Sequence, residues 1–208
     1  MPNIIIDGLD QQIQARLPAD LAAQFRPLFK DIFWLGMKWH EYTTLFGDKS
    51  NFDLLHRTAG YLFQIVEDTM WDDLILHVSR LVGPIKSMGK ENLTVRRIPK
   101  LIQDLALQSE IQSLVDACQT HCTFVSDHRN KRLAHYDLET AVQNLEANLA
   151  GVSRLQLELA VKSLQTIVQK IYAHYASTHF DFDTSLRTDN ADSLLRALAT
   201  AERAAVAR

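Results

Sequence analysis

Ser126-Asp127-His128-Arg129-Asn130-Lys131-Arg132-Leu133-Ala134-His135-Tyr136-Asp137 concentrates more potential chemistry than any other stretch of this chain. Arg129 and His135 stand six positions apart, and the polar Asn130 directly follows the arginine. A guanidinium is permanently charged and offers a planar fork of donors that matches phosphate. An imidazole titrates near neutrality and can take or give a proton. Together they suit RNA cleavage without a metal. The RNA's own 2′-hydroxyl attacks the adjacent phosphorus, and histidine moves a proton at that oxygen or at the leaving 5′-oxygen. Arginine steadies the charge on the phosphoryl oxygens, and Asn130 could orient a phosphate oxygen or the imidazole.

Spacing alone leaves this chemistry open. Cys118, Cys122 and Val125 mark an apolar helical stripe, and continuing it forward lands on Arg129. A charged group on a packed side must be paired, or must face a cleft or a partner chain. Arg129 therefore reads either as a phosphate clamp or as a structural arginine bonded to Asp72 or Asp73 on another helix. At about 100° per residue, Arg129 and His135 lie roughly 120° apart around an ideal helix. They share a cleft if the helix ends or bends near Leu133, or if two copies of the motif meet at an interface. His128, Arg132 and His135 do share one face. With Lys131 they form either an RNA-contacting surface or a solvated basic edge. Tyr136 and Asp137 could support the pair from behind, although Asp137 could equally cap the next turn.

The elements that must position these groups read as all-α. Glycines number 7 and prolines 5 in 208 residues, and apolar residues recur every three or four positions over long windows. One helix is expected from about Asp20 to Phe46, with Pro27 as a kink or an early break. Its Phe33, Trp34, Met37, Trp39 and Tyr42 are read as core. A second spans about Asn51 to Leu81, with the stripe Leu55, Ala59, Leu62, Val66, Met70, Leu74, Val78, Leu81, and stops at Gly83-Pro84. A long polar connection to about Val95 follows, with basic Lys86, Lys90, Arg96, Arg97 and Lys100 in or beside it. A short helix is expected near Leu101–Ala106, then one helix through Ile111, Val115, Cys118, Cys122 and Val125 that runs into the motif. Ser153 and Gln156 form a capping box for a last core helix. Asp189 is the expected cap of a C-terminal helix. This reads as a single helical domain over 1–208, with its core at about 20–177 and a helical extension at about 189–206.

A formal charge of −3 argues against coating nucleic acid, so RNA contacts need a local patch. Arg96 and Arg97 are the candidates for it outside the motif. Two cysteines are too few for a secreted disulfide scaffold, and no window is apolar for long enough to span a membrane. The expected location is the cytoplasm. Cys118, His121, Cys122 and His128 raise the thought of zinc, but no second cluster completes four ligands. Glu67, Asp68, Asp72 and Asp73 lack the Glu-x-x-His partners of a helical di-metal site. No metal and no cofactor is expected.

Arg129-Asn130-Lys131-Arg132-Leu133-Ala134-His135 resembles the R-x4-6-H motif of the HEPN superfamily of helical ribonuclease domains. Trp39-His40-Glu41-Tyr42-Thr43-Thr44-Leu45-Phe46-Gly47, Ser79-Arg80-Leu81, Leu93-Thr94 and Ala134-His135-Tyr136-Asp137 extend the likeness to HEPN proteins associated with bacterial abortive infection, over roughly residues 20–177. The resemblance implies a helical bundle that forms a homodimer, with two Arg–His pairs in one composite cleft. It implies metal-independent endoribonuclease activity, with Arg129, His135 and the polar Asn130 as the catalytic set. It also implies RNA as substrate and an antitoxin or regulatory partner. Members without catalysis imply the alternative, a dimer that binds RNA, a nucleotide or a partner protein. A third possibility is a helical scaffold in which the motif only ties the dimer together.

Overall fold

A computed structural model describes residues 3–128, 152–178, 180, 182 and 190–206. Residues 129–151, with them Arg129, Asn130, Lys131, Arg132, His135, Tyr136 and Asp137, lie outside the described residues, as do the side chains of 126–128.

The described chain is an all-α bundle: α1 (Asn3–Arg16), α2 (Ala19–Phe46), α3 (Lys49–Val82), α4 (Leu105–His121), α5 (Thr123–His128), α6 (Arg154–Ala176) and α7 (Ala191–Val206). Helix α2 is the centre. Its Leu21, Phe25, Leu28, Ile32 and Leu35 alternate steps of four and three, which makes one continuous face, and all are buried. Against it pack α1, α3, α6 and α7. Helix α6 brings a matching face, Leu157, Val161, Leu164, Val168 and Ile171, also buried. A side chain at Gly36 would place its Cβ 2.6 Å from Gln165 Nε2, so the Gln165 side chain of α6 packs over the bare backbone of α2 there. Phe29 sits within 6.1 Å, ring centre to ring centre, of Phe25, Tyr172, Phe180 and Phe182.

Helix ends follow their local chemistry. Asp104 accepts from the backbone of Ala106 and Leu107 to start α4. The Ser153–Gln156 capping box closes the start of α6 in both directions, at 3.2 Å and 2.9 Å. Helix α7 begins at Asn190, whose side chain accepts from Ser193, while Asp189 lies outside the described residues. Glu41 reaches from α2 to accept the Ala191 N–H at 2.7 Å, and Arg57 holds Glu202 at 2.8 Å, so α7 is tied to α2 and α3. No helix of the described residues is long and apolar enough to cross a membrane.

Several boundaries differ from the sequence expectation. Helix α1 was not anticipated; it inserts Ile13, and Leu17 just beyond its end, into the core. Helix α2 runs through Pro27 without a break. Helix α3 is interrupted at Ala59 (φ −158°, ψ 67°), and the turn after it faces outward. Leu62 of the expected stripe is 57% exposed, beside Tyr61 and Ile65. Trp34, expected in the core, is exposed too. The helix expected near Leu101–Ala106 is instead a 3-10 turn at Val95–Leu101, which ends at Ile102. The Asp104 cap forces the next helix to start afresh at Leu105. The expected continuous helix into the motif breaks at Cys122 (φ −102°, ψ 12°) and resumes as α5, although Cys118, Cys122 and Val125 all stay buried.

Candidate nucleic-acid interface

The connection after α3 is ordered by its own hydrogen bonds. Gly83-Pro84 ends the helix, and a two-strand hairpin follows, β1 (Lys86–Ser87) against β2 (Lys90–Glu91), with Lys86 opposite Glu91. Its two-residue turn is Met88-Gly89, both at positive φ (48° and 79°), the geometry that lets two strands twist together. Asn92 ties the hairpin base, donating to the Pro84 carbonyl and to Ser87 Oγ.

Beyond this hairpin the chain enters the 3-10 turn that carries two expected phosphate ligands. They part company. Arg97 is engaged on both sides, by Glu91 at 2.7 Å and by Gln24 at 2.8 Å. Arg96 is exposed and lines an open cleft of about 280 Å³, with Ser79, Gln119 and Thr123 as further polar walls and Val82 and Val125 as apolar ones. Thr123 and Val125 belong to α5, and α5 ends at His128, immediately before Arg129. The chain thus enters the Arg–His motif directly from one wall of this cleft.

Uncommitted positive charge is concentrated in the same stretch of chain. Among the described residues, the lysines and arginines with neither an ion pair nor a side-chain hydrogen bond are Lys86, Lys90, Arg96 and Lys100. All four fall within fifteen residues of sequence, on the hairpin and the 3-10 turn.

A buried polar string holds the α3 wall. His77, only 2% exposed, lies between Asp31 (3.0 Å from its Nε2) and Lys38 (3.4 Å from its Nδ1), both on α2. Lys38 also holds Asp73 at 2.6 Å, and Arg80 lies 3.4 Å from Asp31. The close His77 ring holds the Asp31 carboxyl below its ordinary 3.8, helped by Arg80 and Lys38 and opposed by burial. A depressed carboxyl stabilises the fold above its unfolded range and loses that contribution as pH falls through the lower folded value. Asp31→Asn is therefore expected to lower Tm at pH 7, and to lose stability less steeply than wild type between about pH 5 and pH 3. Parallel wild-type and variant Tm curves across that window would show that Asp31 does not couple to folding.

Several of the candidate metal ligands already have partners in the fold. Cys118 and Cys122 are buried with their sulfurs 4.0 Å apart; the hydrogen bond from Cys122 and burial push the Cys118 thiol upward, which keeps it inert. Glu67 meets Tyr42 Oη and Arg154 at 3.4 Å, and Asp73 is held by Lys38. Ser79, Gln119 and Thr123 were not singled out from sequence as cleft residues, since no local pattern links positions forty residues apart.

The family model HEPN AbiU2 matches residues 18–194, which takes in every helix from α2 to α6 and the start of α7. No curated protein and no solved structure matches the chain.

Proposed function

The chain belongs to the AbiU2 family of abortive-infection-associated HEPN domains, and on that premise we propose that it is a metal-independent endoribonuclease acting in the cytoplasm as a toxin or phage-defence effector. The observation that carries the reading is the Arg129-Asn130…His135 signature in a chain of that family, entered directly from a helix that walls a cleft lined by the uncommitted Arg96. Arg129 clamps the scissile phosphate, His135 moves the proton, and Asn130 orients one of them. His128, Lys131 and Arg132 hold neighbouring phosphates, and Tyr136 and Asp137 position the pair. Arg96 serves the strand from the opposite wall. Arg97, held by Glu91 and Gln24, acts mainly by fixing the turn on which Arg96 stands.

The protein works as a homodimer that brings two motifs into one cleft. Tyr61, Leu62 and Ile65, exposed together on α3 at 86%, 57% and 63%, offer such an association an apolar surface. An antitoxin or regulatory partner restrains the activity.

Purified protein incubated with end-labelled total RNA is expected to cut it equally well with and without EDTA, leaving 2′,3′-cyclic phosphate ends, and to scatter light as a dimer at micromolar concentration. Binding without cleavage of any RNA would replace this reading with a non-catalytic RNA-binding dimer. A strict monomer would remove the composite cleft.

A further inference from the structure

The cleft between the end of α3 and the α4–α5 junction contains polar groups that the fold itself does not use. Ser79 is 6% exposed, yet its hydroxyl has no side-chain partner among the described residues. Gln119 is half-buried with its amide uncommitted, and Arg96 is without an ion pair. A hydroxyl and an amide without a partner among the described residues, beside an exposed guanidinium, leave donors and acceptors at one cleft for a ligand to bond.

We propose that this cleft is a subsite for one unpaired nucleotide of the RNA strand, with Ser79 and Gln119 reading the base edge and Arg96 its phosphate. Size, lining and position agree. At about 280 Å³ the cleft lies at the lower edge of ligand pockets, which run from about 300 to 1,000 Å³, so it suits a single nucleotide rather than a folded segment. A hydroxyl and an amide each donate and accept, as the edge of a base requires, and the apolar Val82 and Val125 give its ring a dry surface. Lys86 and Lys90, on the hairpin beyond Pro84, supply charge for the phosphates that follow. A duplex cannot lower one base into such a cleft, so the subsite selects single strands. The identity of the polymer rests on the ribonuclease reading; the subsite itself concerns binding.

Fluorescence anisotropy with labelled 12-mers of each single base, and with a duplex of the same length, tests it on the full chain. Wild type should prefer single strands and rank the four bases. Gln119→Ala and Ser79→Ala should compress that ranking by about fivefold or more, as expected for a lost base-edge contact. Arg96→Ala should weaken all four strands alike and flatten the salt dependence by about one charge. Lys49→Ala, on a pair distant in sequence from the cleft, should change nothing. Thermal melts identify any variant that fails to fold, and Gln119→Glu gives a second, fold-neutral probe that should repel the strand. An unchanged base ranking in folded Gln119→Ala and Ser79→Ala overturns the subsite, even if the protein cuts RNA. A compressed ranking in a protein that cuts nothing keeps the subsite and removes the ribonuclease reading.

Discussion

His135→Ala is expected to abolish RNA cleavage while leaving RNA affinity largely intact. The imidazole contributes chiefly where a proton moves, in the transition state, so its loss lowers the rate far more than it lowers binding. Arg129→Ala behaves differently. It removes a charge donor to the phosphoryl oxygens and should reduce cleavage by a factor of roughly 10² or more. It also weakens binding, because the same fork grips the ground-state phosphate. Arg129→Lys does not restore the rate, since an ammonium cannot reproduce two parallel hydrogen bonds. Single-turnover cleavage and filter binding on the folded, dimeric variants separate the two signatures. Full activity of His135→Ala would sink the acid–base assignment outright.

Phe29→Ala is the substitution expected to damage the fold most, by about 3–5 kcal/mol. Phe29 is 2% exposed, and its ring meets Phe25 on its own helix, Tyr172 on α6, and Phe180 and Phe182 on the segment after α6. Truncation leaves a cavity walled by rings that are themselves anchored on separate elements, so collapse around it is limited. For a chain of this size the loss translates to a fall in Tm on the order of 10 °C. Phe29→Leu should lose much less, because most of the volume is retained. Calorimetry decides it, and a fall of a degree or two for Phe29→Ala would mean that the neighbouring rings close the gap.

Much of this arrangement is legible along the chain where a local rule acts alone. Gly83-Pro84 stops α3, and Ser153 with Gln156 opens α6, because caps and breakers need only their own neighbours. The steps of four and three in α2 and α6 announce their buried faces. What escaped was decided by tertiary partners. Ala59 favours helix intrinsically, and nothing in its neighbourhood except Gly60 hints at the interruption there. Helix α1 hides its signal in Leu9, Ile13 and Leu17, spaced by four behind the more conspicuous Ile4-Ile5-Ile6. Phe180 and Phe182 sit in a stretch that reads as polar, yet both join the core around Phe29. The Arg129–His135 pair was visible by residue type, and it lies outside the described residues. The cleft wall opposite was not visible, since Ser79, Arg96 and Gln119 meet only through folding. Nor could sequence tell Arg96 from its neighbour Arg97, which differ entirely in what holds them.

The four uncommitted cations between Lys86 and Lys100 belong to a chain whose formal charge is −3. A polyanion meets a chain of net negative charge, and the uncommitted cations of the hairpin and the 3-10 turn draw it toward that side. Encounter is therefore oriented before any specific contact forms. On the proposed reading, the on-rate for RNA is expected to fall as salt rises. On the proposed reading, that one-sided attraction would itself restrain the protein toward RNA met elsewhere on its surface.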